Sequence, residues 1–193
     1  MQEFLAAVAR GDDDDAERWA LRLTPADEPP LIEMANDTDM DERWWGVRGL
    51  AQAGSEACVP TLRRRLSDED GSVRAAAALA LSCLHARAPG AVMAALDAVA
   101  VLLADDEGLV RQAAADCLAQ CGDDAVGALG RVLKASTHQG ERTRAAGALR
   151  KIATMKAAAI LYPLLNDNNH LVRMYAYEGL DEMGLLETVL LAP

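Results

Sequence analysis

A turn-plus-helix phrase that recurs at fixed spacing restricts this chain more than any other feature. The stretch LSDEDGSVRAAAALALSCL, Leu66 to Leu84, reads as a polar turn running into an alanine-rich helix. It returns as LADDEGLVRQAAADCLAQCG, ending at Gly122, and as LNDNNHLVRMYAYEGLDEMG, Leu165 to Gly184. Aligned on the Leu that ends each Ala-rich stretch, the copies fall at Leu50, Leu81, Leu118, Leu149 and Leu180, spaced 31, 37, 31 and 31 residues apart. Seven residues before each Leu stands an arginine: Arg43, Arg74, Arg111, Arg142 and Arg173. Six residues before each arginine stand Asp37, Asp68, Asp105, Ser136 and Asp167. Four residues after each Leu come Gly54, His85, Gly122, Ala153 and Gly184.

A period of 31 with one six-residue insertion marks stacked helical repeats. Helix pairs are expected over residues 2–10 with 14–23, 30–36 with 40–53, 56–67 with 71–84, 89–104 with 108–121, 123–135 with 139–153, and 156–166 with 170–183. No stretch combines apolar/polar alternation with β-branched enrichment, so no strand is expected. The expected fold is all-α, a right-handed α-solenoid of about six helix pairs in a single domain, 1–193. Residues 1–29 would form a degenerate N-terminal cap, 30–184 five matched repeats, and 185–193, including LLETVLL, a C-terminal half-unit. In the second helices the expected inward positions are small: Ala76, Ala77 and Ala80, then Ala113, Ala114 and Cys117. Small residues let helices approach closely, and no unit can bury its apolar face alone.

Charge and motifs narrow the chemistry. Residues 1–42 hold 13 acidic residues against 3 arginines, and residues 43–193 are nearly neutral, with 17 acidic against 16 basic. That balance argues against nucleic acid as a partner, which calls for a basic face. The start MQEFLAAVARGDDDD lacks a basic region before an apolar one, and the run Ala91–Ala104 is too short to span a bilayer, so a cytoplasmic location and no membrane partner are expected. Cys58, Cys83, Cys117 and Cys121 form no CxxC pair and are expected to be reduced core thiols. Asp37, Asp39 and Asp41 begin like a calcium loop, but Glu42 stands where glycine is needed and Arg48 where the bidentate glutamate belongs. An acidic turn fits better, as it does for Asp12 to Asp15. The run Arg63 to Arg65 is answered by Asp68, Glu69 and Asp70. His85, His138 and His170 are isolated, and no catalytic constellation, metal site or cofactor is expected.

The Asp positions, the Val-Arg pairs and the Ala/Leu helices ending in Gly resemble the HEAT repeat, especially its short phycobilisome-lyase type. The resemblance covers about residues 30–184 and is weaker where Glu42 and Glu141 replace the Val and Ser136 the Asp. It implies that the Asp residues bond turn amides, that the Arg residues lie between successive units, and that the second helices line a concave side. None of the histidines is followed by Glu, so the His-Glu pairs of HEAT-built hydroxylases are missing. On this register the solvent-facing positions are Trp44, Val47, Arg48 and Gln52; Leu79 and Ser82; Gln112, Asp116 and Gln120; Thr143, Arg150 and Lys151; and Met174, Tyr177, Glu178 and Asp181. Trp45 would point inward, and Trp44 either fills space against the N-terminal cap or anchors a ligand. The expected function is a non-catalytic, monomeric scaffold that binds a protein or peptide partner through Trp44, Arg48, Gln52, Gln112, Asp116, Arg150, Met174, Tyr177 and Asp181. The alternatives are a lyase-like accessory subunit and a HEAT-like DNA glycosylase.

Overall fold

The computed structural model describes residues 1–186; from residue 187 onward the expected C-terminal half-unit lies outside them. The chain divides into two compact units, the first Met1–Ala98 and the second starting at Val99. In the first, α1 (Gln2–Ala9) pairs with α2 (Asp13–Ala20), α3 (Glu28–Met34) with α4 (Met40–Ala53), and α5 (Val59–Arg65) with α6 (Gly71–His85), which then meets α7 (Pro89–Met93). The division falls within α8 (Leu96–Val101). In the second, α9 (Gly108–Gln120) is followed by the pairs α10 (Val126–Ala135) with α11 (Gln139–Ile152) and α12 (Met155–Leu161) with α13 (His170–Glu182). Among the described residues there is no strand.

The second helices begin and end within a few residues of their expected bounds. The first helices are less regular. Several start or finish with a 3-10 turn, such as Pro25–Asp27, Glu56–Cys58 and Tyr162–Asn166, and prolines take the first-turn positions where no amide is needed. The uninterrupted helix expected over 89–104 is broken into α7, α8 and a 3-10 turn, Leu102–Ala104. Its alanine-rich sequence favours continuity, so tertiary packing overrides propensity here. The six extra residues are taken up in this broken helix.

The core follows the repeat. All five aligned leucines are buried: Leu50, Leu81, Leu118, Leu149 and Leu180. Each contributes about 1.5–3 kcal/mol of transfer free energy. Ala77, Ala80, Ala113, Ala114 and Cys117 are buried as expected, but Ala76 is only half-buried, and Ala75 and Ala78 take the inward positions beside it. Helix α4 packs along α6 in the first unit, and α11 packs on both α9 and α13 in the second. Where α4 meets the end of α3 the approach is backbone to backbone. A Cβ on Gly46 would lie 2.3 Å from the Ala35 nitrogen, so only glycine fits. Helix α13 ends with Gly184 at φ 69°, which lets the Gly184 amide reach the Asp181 carbonyl and the Leu185 amide reach that of Leu180. Ala153 takes the same left-handed position after α11, at φ 50° and without glycine's freedom.

The turns between paired helices share one construction. In each, the conserved-register side chain accepts the amide two residues on: Asp37 from Asp39 (2.9 Å), Asp68 from Asp70 (3.1 Å), Asp105 from Glu107 (2.9 Å), Ser136 Oγ from His138 (3.0 Å) and Asp167 from Asn169 (2.9 Å). Asp39, Asp70 and Asn169 then cap the helices they precede by accepting their first free amides. The arginines one turn into four of these helices, Arg43, Arg74, Arg111 and Arg173, fold back to their own loops, where Nη1 donates to two carbonyls, as Arg111 does to Asp105 (2.7 Å) and Asp106 (2.8 Å); Arg142 donates instead to the Leu133 carbonyl. Arg43 and Arg142 also reach the next repeat. Arg43 grips Asp68 through Nε and Nη2, both at 3.0 Å, while Arg65 holds the other side of that carboxylate at 2.7 Å. Arg142 pairs with Asp167 through Nη2.

The side chains of Arg43 and Asp68 are 5% and 2% exposed. Burial pushes the Asp68 carboxyl up, but the hydrogen bonds from Arg43 and the Asp70 amide, with the charges of Arg43 and Arg65, more than reverse this and hold it below the ordinary aspartate value of about 3.9. The unfolded chain therefore takes up this proton more readily than the folded one. The stabilisation is complete above the ordinary value and is lost as pH falls through the lower folded value. Asp68→Asn leaves Arg43 buried without its counter-ion and is expected to destabilise the protein by about 3 kcal/mol at neutral pH. Denaturant titration of both proteins at pH 7 and pH 3 checks this: the gap between them narrows in acid.

Candidate functional site

The expected partner-binding residues lie on the second helices, and the structure separates them by register. Counting from the Val position of the repeat, side chains two, six and ten residues on reach solvent or its margin in α4, α9 and α13, whereas in α6 the first of these, Ala75, is buried. In α4 these are Trp44, Arg48 and Gln52; in α9, Gln112, Asp116 and Gln120; in α13, Met174, Glu178 and Glu182. Val47 and Ser82, five and nine places on and expected in solvent, are buried. Tyr177 and Asp181 occupy those same places in α13 yet are exposed, since among the described residues no second helix follows α13.

Several of the candidates are already committed. Trp44 is half-buried and meets Trp45 edge-on with ring centroids 4.7 Å apart, and Trp45 in turn meets Phe4 of α1 at 5.9 Å. Trp44 thus packs on the inward Trp45, which fills space against the first helix pair. Arg48 makes a two-pronged ion pair with Glu17 of α2. Arg150 bridges α11 to Glu178 and Glu182 of α13. Lys151 reaches Asp116 of α9 at 2.9 Å, and Gln112 donates to the other oxygen of that carboxylate at 2.8 Å. Partial burial raises the Asp116 carboxyl, but the Gln112 and Lys151 hydrogen bonds outweigh it and hold it below the usual range. In the second unit Met174 and Tyr177 remain exposed, 39% and 57%, as do Gln120 and Asp181.

Two open clefts lie along the helix N-termini of the second unit. The larger, about 700 Å³, is lined by Gln139, Thr143, Asn169 and Leu171 among others. The smaller, about 290 Å³, is lined by Arg111, His138 and Glu141 among others, and Gly140 and Arg144 line both. The sequence reading missed Arg144, although it stands where sister helices carry Ala76 and Ala113.

The comparisons follow the geometry. A profile of HEAT repeats matches residues 28–99 and 95–181. The chain belongs to the HEAT-repeat family. The matching profile is the general one and does not specify the phycobilisome-lyase type. Among solved structures, the chain is similar to an archaeal HEAT-like repeats protein from Thermococcus onnurineus NA1, with 16% identity over 94% of this chain and 79% of that one, TM-score 0.63. It is similar to an engineered protein with 20% identity over 94% and 95% of the two chains, TM-score 0.54. It also resembles a designed armadillo repeat protein in complex with the peptide (KR)4, with 15% identity over 93% and 98%, TM-score 0.53. These likenesses establish the α-solenoid repeat fold. No curated protein matches the sequence. Among the described residues, no group of His, Cys, Asp and Glu side chains could hold a metal ion, and no helix is long and apolar enough to cross a membrane.

All four thiols are free, but they are not all in the core. Cys83 is exposed, ten residues past Val73 and so in register with Gln52, Gln120 and Lys151. Cys58, Cys117 and Cys121 are buried. Burial, reinforced by the nearby Glu28 carboxylate, pushes the Cys58 thiol up to about 12. Its Sγ donates to the Ser55 carbonyl. A thiol reagent such as dithiobis(nitrobenzoate) at pH 8 is expected to modify one cysteine quickly in the native protein and four after denaturation. Cys83→Ser should abolish the fast phase.

Proposed function

We propose that the protein is a non-catalytic scaffold that binds a protein or peptide partner on the exposed face of its second helices. The carrying observation is the pairing of Met174 and Tyr177, which stand out from a rigid helix beside charged groups that already neutralise one another. Methionine and aromatic side chains are enriched at the cores of interfaces, where they supply large contact area. The paired charges around them need not be desolvated alone when a partner docks. The designed armadillo repeat protein of similar fold was solved with a peptide bound, which supports a peptide-sized or larger ligand here.

In this reading Arg48 and Arg150 are struts of the scaffold, not contact residues, and Gln112, Gln120 and Asp181 form a polar rim. Gln52 extends the same register in the first unit. The test is affinity capture from native lysate with the wild type and with Met174→Ser/Tyr177→Ser. Each side chain contributes about 1–2 kcal/mol as an interface anchor, so partner recovery should fall at least tenfold while the circular dichroism spectrum is unchanged. An unchanged partner set with an intact fold removes this surface.

A further inference from the structure

A ladder of Asp–Arg pairs joins successive repeats at Arg43–Asp68 and Arg142–Asp167; at the Arg111 junction no such pair forms among the described residues, and three departures from the repeat meet there. The first is Ser136. Its hydroxyl still accepts the His138 amide, so the turn is kept, but it brings no carboxylate to meet Arg111. The other contact of Ser136 is to Glu141. Arg111 spends Nη1 on its own loop carbonyls as Arg43, Arg74 and Arg173 do, and among the described residues no carboxylate lies within ion-pair distance of it. The second departure is Arg144, at the position of Ala76 and Ala113. It enters the same cleft and donates to the Leu103 carbonyl at 3.0 Å, again with no ion pair among the described residues. The third departure is Glu141 in place of a Val: it returns one negative charge, which the Ser136 hydroxyl holds, so the junction carries one net positive charge more than a regular one.

Asp68 shows what such a place holds when filled: one carboxylate gripped by two guanidiniums, Arg43 and Arg65. The Arg111–Arg144 cleft has two guanidiniums, and among the described residues no carboxylate lies within ion-pair distance of either. Burial and the charge of Arg111 both push the Arg144 guanidinium down, with Glu141 only partly opposing. The cleft is about 290 Å³, open to solvent, and adjoins the larger groove through Gly140 and Arg144. Asp105, Asp106 and Glu141 also line it, which limits the negative charge it accepts. A polyanion such as a nucleic acid would be repelled, whereas one carboxylate would be held. The adjoining groove offers Gln139, Thr143 and Asn169 to a peptide backbone and the exposed Leu171 to an apolar neighbour.

We propose that this cleft binds a single carboxylate side chain of a partner peptide, seated between Arg111 and Arg144 in the place that a ladder aspartate fills elsewhere. The flanking peptide residues lie in the adjoining groove. This site is separate from Met174 and Tyr177, so the loss of that surface leaves it standing.

The test uses the full chain, a capped and fluorescently labelled octapeptide with one central glutamate in a Ser/Leu background, and its glutamine counterpart. Acetate and inorganic phosphate serve as small-anion competitors. Saturable binding of the glutamate peptide, at least tenfold tighter than the glutamine peptide, supports the proposal. Arg144→Ala restores the sister residue and should weaken binding about tenfold. Ser136→Asp should abolish binding by supplying the acid internally, and should raise the melting temperature by about 3 °C as it completes the ladder. Four results would overturn the proposal: no binding of either peptide, equal binding of both, displacement by acetate or phosphate with no peptide preference, or a Ser136→Asp protein that binds as the wild type does.

Discussion

The carboxylate of Asp68 serves two neighbours at once, as that of Asp167 does, and the register of the repeats depends on that double use. Asp68 accepts the Asp70 amide, which fixes the turn before α6, and it also receives Arg43 from the preceding repeat. The turn cannot relax without loosening the pairing, and the pairing cannot slip without distorting the turn. Burying such a pair costs desolvation that its attraction only about repays. Its contribution is therefore to register more than to net stability. The leucines and alanines supply the burial, but an apolar helix face alone would tolerate a slide by one turn. The ladder forbids that slide by placing a charge where only one alignment answers it.

This division of labour explains the surface. With register pinned, most of the polar side chains along the second helices fall on their outer margins. Charged residues there do not stay idle: Lys151 reaches Asp116, Arg150 reaches Glu178, and Arg48 reaches Glu17. The surface between second helices is thus laced by cross-repeat contacts that each hold a side chain in place, and the groups without such contacts are the ones available for recognition.

The sequence made the scaffold legible because its signals are local and repeated. The Asp, the Arg and the aligned Leu each recur, so an error in one copy is corrected by the others, and the second helices were bounded to within a few residues. The first helices carry no such redundancy. The break between α7 and α8 lies in alanine-rich sequence with no breaker, and its cause is tertiary. The surface was read less well. Trp44, Arg48 and Arg150 look free in one dimension because their partners, Trp45 aside, lie 31 or more residues away or on other helices. Val47 and Ser82 are buried although their register points to solvent, because a helix period alone does not say how wide a face is covered. Cys83 and Arg144 were readable from register alone: one stands at an exposed place among polar sisters, the other replaces alanine.

The broken helix has a further consequence. Six additional residues entered the chain without disturbing the aspartate, the arginine or the leucine of either flanking copy. Each repeat thus has a limb whose length is fixed by its pairings and a limb that is free to vary. New sequence can accumulate in the variable limb while the fixed one preserves the stack. For a builder extending this protein, or for drift acting on it, the stretch from Pro89 to Ala104 is where the fold leaves room to grow.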